Sequence, residues 1–119
     1  RHQQCHRALV RGLEAMGLKM FVEKPEARAW TVNTVCVPDG VDEARVRASL
    51  GERFGIEIAP GIGELRGKIW RIGLMGRTAN APLVLLLLNA LESALGENGH
   101  SCPRGAGVAA AESLFNFYV

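Results

Sequence analysis

No part of this sequence carries a surplus of charge. Fourteen Lys and Arg face twelve Asp and Glu, a net of +2 with no basic block, which excludes the electrostatic footprint of a nucleic-acid binder. No apolar run is long enough to span a bilayer; the densest, Leu83 to Leu88, is far too short. No N-terminal signal segment appears, and the final residues Tyr118 and Val119 are not a peroxisomal address. Cysteine is sparse: Cys5, Cys36 and Cys102 are scattered, odd in number and without a CxxC pair. That argues against a disulfide framework and for a reducing interior, so an intracellular and most simply cytoplasmic setting is expected. His2, Cys5 and His6 stand at spacings a metal could use, but no further ligand completes the set, and an exposed polar helix face is the expectation.

What is present fits one domain. The chain has 119 residues and is 48% hydrophobic, enough for a modest core. It starts at Arg1 without a methionine and as if in mid-helix, which leads us to expect a piece of a longer protein or a processed product. Residues 3–16 predict an amphipathic helix with Leu9, Leu13 and Met16 on one face, stopped at Gly17. Gly12 within it is expected to be a close-packing site. Leu18 to Val22 predicts a short strand. Trp30 to Pro38 is the clearest strand signal, with Val32, Thr34 and Cys36 on one side and Asn33 and Val35 on the other. Asp42 caps a second helix running to Phe54, whose stripe is Val46, Leu50 and Phe54, and Gly55 ends it.

Ile56 to Ala59 and Lys68 to Leu74 predict two more strands around a loop holding Gly61, Gly63 and Gly67. Asn80 caps a last helix, Ala81 to Leu95. The order is α-β-β-α-β-β-α, and the expected fold is α+β: a small antiparallel or mixed sheet with helices packed on one face. The last helix is apolar nearly all round, so it requires cover on more than one side. Residues 1–96 read as the domain. Residues 97–119, rich in Gly, Ser and Ala and ending in Leu114, Phe115, Phe117, Tyr118 and Val119, read as a tail that is either flexible or docked.

One residue stands out chemically. Arg71 lies inside an otherwise apolar strand framed by glycine turns. Arginine keeps its charge at physiological pH and presents paired planar donors that match a carboxylate. It is therefore the leading candidate for binding an acidic small molecule, against a structural salt bridge to Glu57 or Glu64. Lys68 reads as a solvated strand end, and Trp30 and Trp70 as packing residues.

Residues 55–76, GIEIAPGIGELRGKIWRIGLMG, resemble the C-terminal small domain of the class V, pyridoxal-phosphate-dependent aminotransferases, in particular the alanine–glyoxylate and serine–pyruvate enzymes. The likeness covers roughly residues 3–96 and about the final quarter of such an enzyme. It implies that Arg71 pairs with the α-carboxylate of an amino acid or keto acid. It implies that Gly61 and Gly63 shape a loop near the active-site mouth, and that Gly73 and Gly76 let backbone pass close by. It also implies a pyridoxal 5'-phosphate cofactor in the intact enzyme and a homodimer. The lysine and other cofactor-holding groups belong to a large domain that this chain lacks; Lys19, Lys24 and Lys68 match none of them. The chain alone is accordingly expected to bind no cofactor and to catalyse nothing. Two other readings stay open: a free-standing α+β module gripping an acidic effector, and a dimerisation module using the leucine-rich helix.

Overall fold

The computed structural model describes residues 1–115. The last residues of the expected apolar tail, Phe117, Tyr118 and Val119, lie outside the described residues. Four helices and three strands follow in the order α1 (His2–Ala15), β1 (Val32–Cys36), α2 (Glu43–Phe54), β2 (Ala59–Pro60), β3 (Ile69–Gly73), α3 (Ala81–Glu97) and α4 (Ala106–Glu112). The fold is α+β, and the sheet is antiparallel throughout, in the order β1-β3-β2.

Two of the expected strands shrink. Leu18 to Val22 forms a single bridge, Met20 to Val35, flanked by backbone hydrogen bonds from Cys36 to Lys19 and from Phe21 to Thr34. Ile56 to Ala59 reduces to the two-residue β2, because only Ala59 and Pro60 come within pairing reach of β3. Strand propensity was present in both stretches, but a ladder needs a partner along its length.

The helix ends follow local chemistry. Asp42 accepts a hydrogen bond from the Arg45 amide, and Gly55 takes the left-handed conformation (φ 66) that closes α2. Asn80 accepts from the Leu83 amide to start α3, with Pro82 in the first turn where its missing donor costs nothing.

Side-chain alternation along β3 divides the sheet into two faces. Trp70 and Ile72, opposite Val35 and Asn33, point into the core formed with α1, α2 and α3. Trp70 is wholly buried, and its indole N–H donates to Glu43 Oε2 at 3.2 Å. The same carboxylate takes two hydrogen bonds from Arg47, at 2.7 and 3.1 Å. Donation by Arg47 holds the Glu43 carboxyl below the usual carboxylate range and pushes the Arg47 guanidinium up. Trp30, expected to pack, is instead 48% exposed.

The apolar α3 gains its second cover from the tail. Residues 106–112 form α4, which packs on both α1 and α3. Two glycines permit the approach: a Cβ on Gly12 would sit 2.5 Å from Leu88 Cδ1, and one on Gly107 would sit 2.6 Å from Met16 Sδ. Gly12 is thus the close-packing site its position in the helix suggested. Leu83 and Leu86 remain 40% and 44% exposed. Among the described residues no helix is long and apolar enough to cross a membrane.

Candidate functional site

Arg71 sits on the sheet face turned away from the helices. Its cross-strand neighbours are Thr34 on β1 and Ala59 on β2. Val32 and Gly73 face each other two pairs further along, on the same face, both exposed. The apolar residues on either side, Trp70 and Ile72, take the core, and the alternation of the strand turns Arg71 to the opposite face. The side chain is half-buried.

Its Nε–H donates to the Pro60 carbonyl at 2.9 Å. Among the described residues Arg71 makes no ion pair, so neither Glu57 nor Glu64 is its salt-bridge partner, and both are exposed. The two terminal nitrogens, Nη1 and Nη2, carry no protein hydrogen bond among the described residues. A half-buried guanidinium fixed at one nitrogen and open at the other two is equipped to receive a planar anion.

The glycine loop closes one side of this face. Gly61 is buried, donates its amide to Ile69 O at 3.1 Å, and abuts the Leu65 carbonyl so closely that a Cβ there would lie 2.2 Å from it. Gly63 has φ +60, which L side chains rarely adopt, with open space around it. The loop between is a short 3-10 turn, Gly63–Leu65. At the end of β3, a Cβ on Gly73 would meet nothing nearer than the Thr31 carbonyl at 4.0 Å, so its bareness keeps the surface beside Arg71 low. Exposed apolar side chains lie near both ends of the face: Ile62 (71%) after the loop's first glycine and Met75 (58%) after β3.

The remaining candidates do not join Arg71. Lys19, Lys24 and Lys68 are all exposed, and Lys19 pairs with Glu23. Among the described residues no lysine is buried. Cys5 is buried in the core, and burial raises its thiol pKa. His6 is buried too, with Nδ1 2.6 Å from Asn33 Oδ1, while Asn33 Nδ2 donates to Ile72 O. That pairing, invisible in the sequence, occupies the histidine structurally; among the described residues no group of three metal-ligating side chains forms. A cavity of about 520 Å³ between α1 and the Pro25–Trp30 segment does not include Arg71 in its walls.

Comparison with known proteins carries the reading further. No family model matches the chain. It is 43% identical over 104 residues to the alanine–glyoxylate aminotransferase of Callithrix jacchus, covering 87% of this chain and 24% of that protein. It is 36% identical over 116 residues to the pyridoxamine–pyruvate transaminase of Mesorhizobium japonicum, covering 98% of this chain and 30% of that protein. The crystal structure of ureidoglycine–glyoxylate aminotransferase from Bacillus subtilis superimposes with a TM-score of 0.90 at 38% identity, over 95% of this chain and 29% of that one. Aminotransferases of this kind imply pyridoxal phosphate dependence in the intact enzymes. Long matches in sequence and a shared fold agree: over most of its length the chain is similar to one portion of the class V aminotransferases, and it spans about a quarter of the length of the relatives it matches.

Proposed function

We propose that this chain is the small-domain portion of an aminotransferase that moves an amino group between a small amino acid, such as alanine or serine, and a keto acid, such as glyoxylate or pyruvate. Arg71 is the group that binds the substrate carboxylate. The observation that carries this is the open Nη1/Nη2 end of a half-buried guanidinium with no acid beside it among the described residues. A purely structural arginine in such a position is normally paired.

The carboxylate gripped at two points is fixed in plane and direction, which orients the bonds at the neighbouring carbon. Positioning of this kind contributes several kcal/mol to lowering a barrier, on the order of a hundredfold in rate for a misplacement of about 1 Å. Pyridoxal phosphate, when bound, supplies the electron sink for the reaction. All three lysines of this chain are exposed, and we assign the group that holds the cofactor to the large domain of the intact enzyme. Gly61 and Gly63 shape the rim of the site, and the bare Gly73 leaves room for the substrate beside Arg71. We read residues 1–96 as the domain and 97–119 as its tail, of which α4 docks on α1 and α3, a reading supported by the packing of α4. The assembly is a homodimer, and three free thiols support an intracellular setting.

Arg71→Ala in the complete protein tests this. Transamination between alanine and glyoxylate should lose about a hundredfold in kcat/KM. Unaltered turnover would remove Arg71 from the site and favour an effector-binding or dimerisation role for the domain.

A further inference from the structure

We propose that Gly61 is a positioning residue for Arg71, and that Arg71 receives the carboxylate end-on through Nη1 and Nη2. The inference rests on the reading of Arg71 as the carboxylate clamp.

A guanidinium can grip a carboxylate with paired donors in two ways: along its side, through Nε and one Nη, or at its end, through both Nη. In this chain the side fork is already spent, because Nε–H is donated to the Pro60 carbonyl at 2.9 Å. That bond also fixes the plane of the group. The end fork is what remains.

The Pro60 carbonyl is held where it is by the residue that follows. Gly61 continues the pairing with Ile69 O and then meets the returning loop backbone. A Cβ at Gly61 would stand 2.2 Å from Leu65 O, 2.6 Å from Leu65 C and 2.8 Å from Ile69 Cγ1. Two of these three are backbone atoms, so no side-chain rotation relieves the clash. Separation to even 3.0 Å, the shortest real Cβ contact, demands a backbone shift. The Leu65 side is anchored: its carbonyl accepts from the Lys68 amide at 2.9 Å, and the Lys68 carbonyl accepts from Val37 at 2.9 Å. The compliant side is β2, an edge strand of two residues. Any side chain at position 61 therefore moves Pro60, takes its carbonyl away from Nε and releases the guanidinium to rotate. The other loop glycine differs: a Cβ at Gly63 meets nothing, so its role is backbone conformation alone.

The complete protein, labelled with ¹⁵N-arginine, tests both parts. The Nε–H resonance of Arg71 is assigned by its disappearance in Arg71→Lys. Propionate, a carboxylate that cannot react, is titrated in. With end-on binding the Arg71 Nε–H stays unshifted and slow to exchange at saturation. A large shift of Nε–H on binding means side-on grip and overturns the proposal, whatever the variants do. In Gly61→Ala the Nε–H should exchange rapidly, and the inhibition constant of propionate against alanine should rise at least tenfold. Inhibition by propylamine, which lacks the carboxylate, should be unchanged, an outcome that a general loosening of the fold would not give. If Arg71→Lys leaves propionate inhibition intact, the carboxylate-clamp reading itself fails. If Arg71→Lys weakens it but Gly61→Ala does not, only the positioning role fails. Should Gly61→Ala not fold, the wild-type titration alone still decides the binding mode on which that role depends.

Discussion

Trp70 and Arg71 are neighbours in β3 and lie in opposite environments. Trp70 is wholly buried, with its indole N–H tied to Glu43 across the core. Arg71 faces away from the helices, its side chain tied among the described residues only at Nε to Pro60. One residue anchors the strand from behind; the other presents charge in front. The difference teaches how a three-stranded sheet can hold a flexible cation in a fixed place. The core face supplies rigidity through burial, which is worth several kcal/mol for an aromatic side chain. On the outer face Ile69 is buried against Gly61, while the half-buried Arg71 keeps its Nη end open.

This division makes graded predictions. Trp70→Ala should be the most damaging change, costing about 4 kcal/mol by cavity formation and loss of its hydrogen-bond partner. Urea unfolding would register it, and a loss under about 1 kcal/mol would mean that the sheet is not anchored through this residue.

Next comes the carboxylate that Trp70 shares with Arg47. Glu43 is largely buried, its side chain 11% exposed, with Arg47 at 27%. Glu43→Gln should cost about 2 kcal/mol at neutral pH, since one charge-assisted pair is lost while the shape remains. The pH dependence has a definite sign. The folded-state value lies below the ordinary 4.5, so the stabilisation is complete above 4.5 and is lost as pH falls through the lowered value. The gap in melting temperature between wild type and Glu43→Gln should therefore narrow on acidification below 4.5; a constant gap would assign the effect to packing.

The smallest expected effect sharpens the comparison most. Arg71→Ala should change unfolding free energy by no more than about 0.5 kcal/mol, because the residue lies outside the core and pairs with no acid among the described residues. Its large effect should appear in turnover alone. A destabilisation similar to that of Trp70→Ala would make Arg71 a structural residue.

Much of this was legible because it is local. Asp42 and Gly55 bracket α2 through their own backbone preferences, and Asn80 starts α3 in the same way. Alternation in β1 separated Asn33 and Val35 from Val32 and Thr34 correctly. Gly12 stood out as a glycine inside a helical pattern, where only close packing offsets its entropic cost. Other features were not legible, since they depend on what another segment does. Leu18 to Val22 has strand composition but only one bridging partner. Residues 106–112 look like linker, and a seven-residue helix has little stability alone; α4 exists by leaning on α1 and α3. The His6–Asn33 pair joins residues 27 apart, and it buries a histidine that the sequence places on an exposed polar helix face.

The candidate site divides along the same line. The sequence by itself determined that Arg71 was an unusual charge in an apolar strand, that glycines framed it, and that the pattern resembled a known family. It also determined the α+β class, since helix and strand periodicities differ and each is read within a few residues. Only the tertiary structure decided which way Arg71 points, which nitrogen is already occupied and why Gly61 tolerates no side chain. The reason is physical: the face a strand residue takes depends on which neighbours claim the core, and a carbonyl's position depends on backbone that returns from elsewhere in the chain.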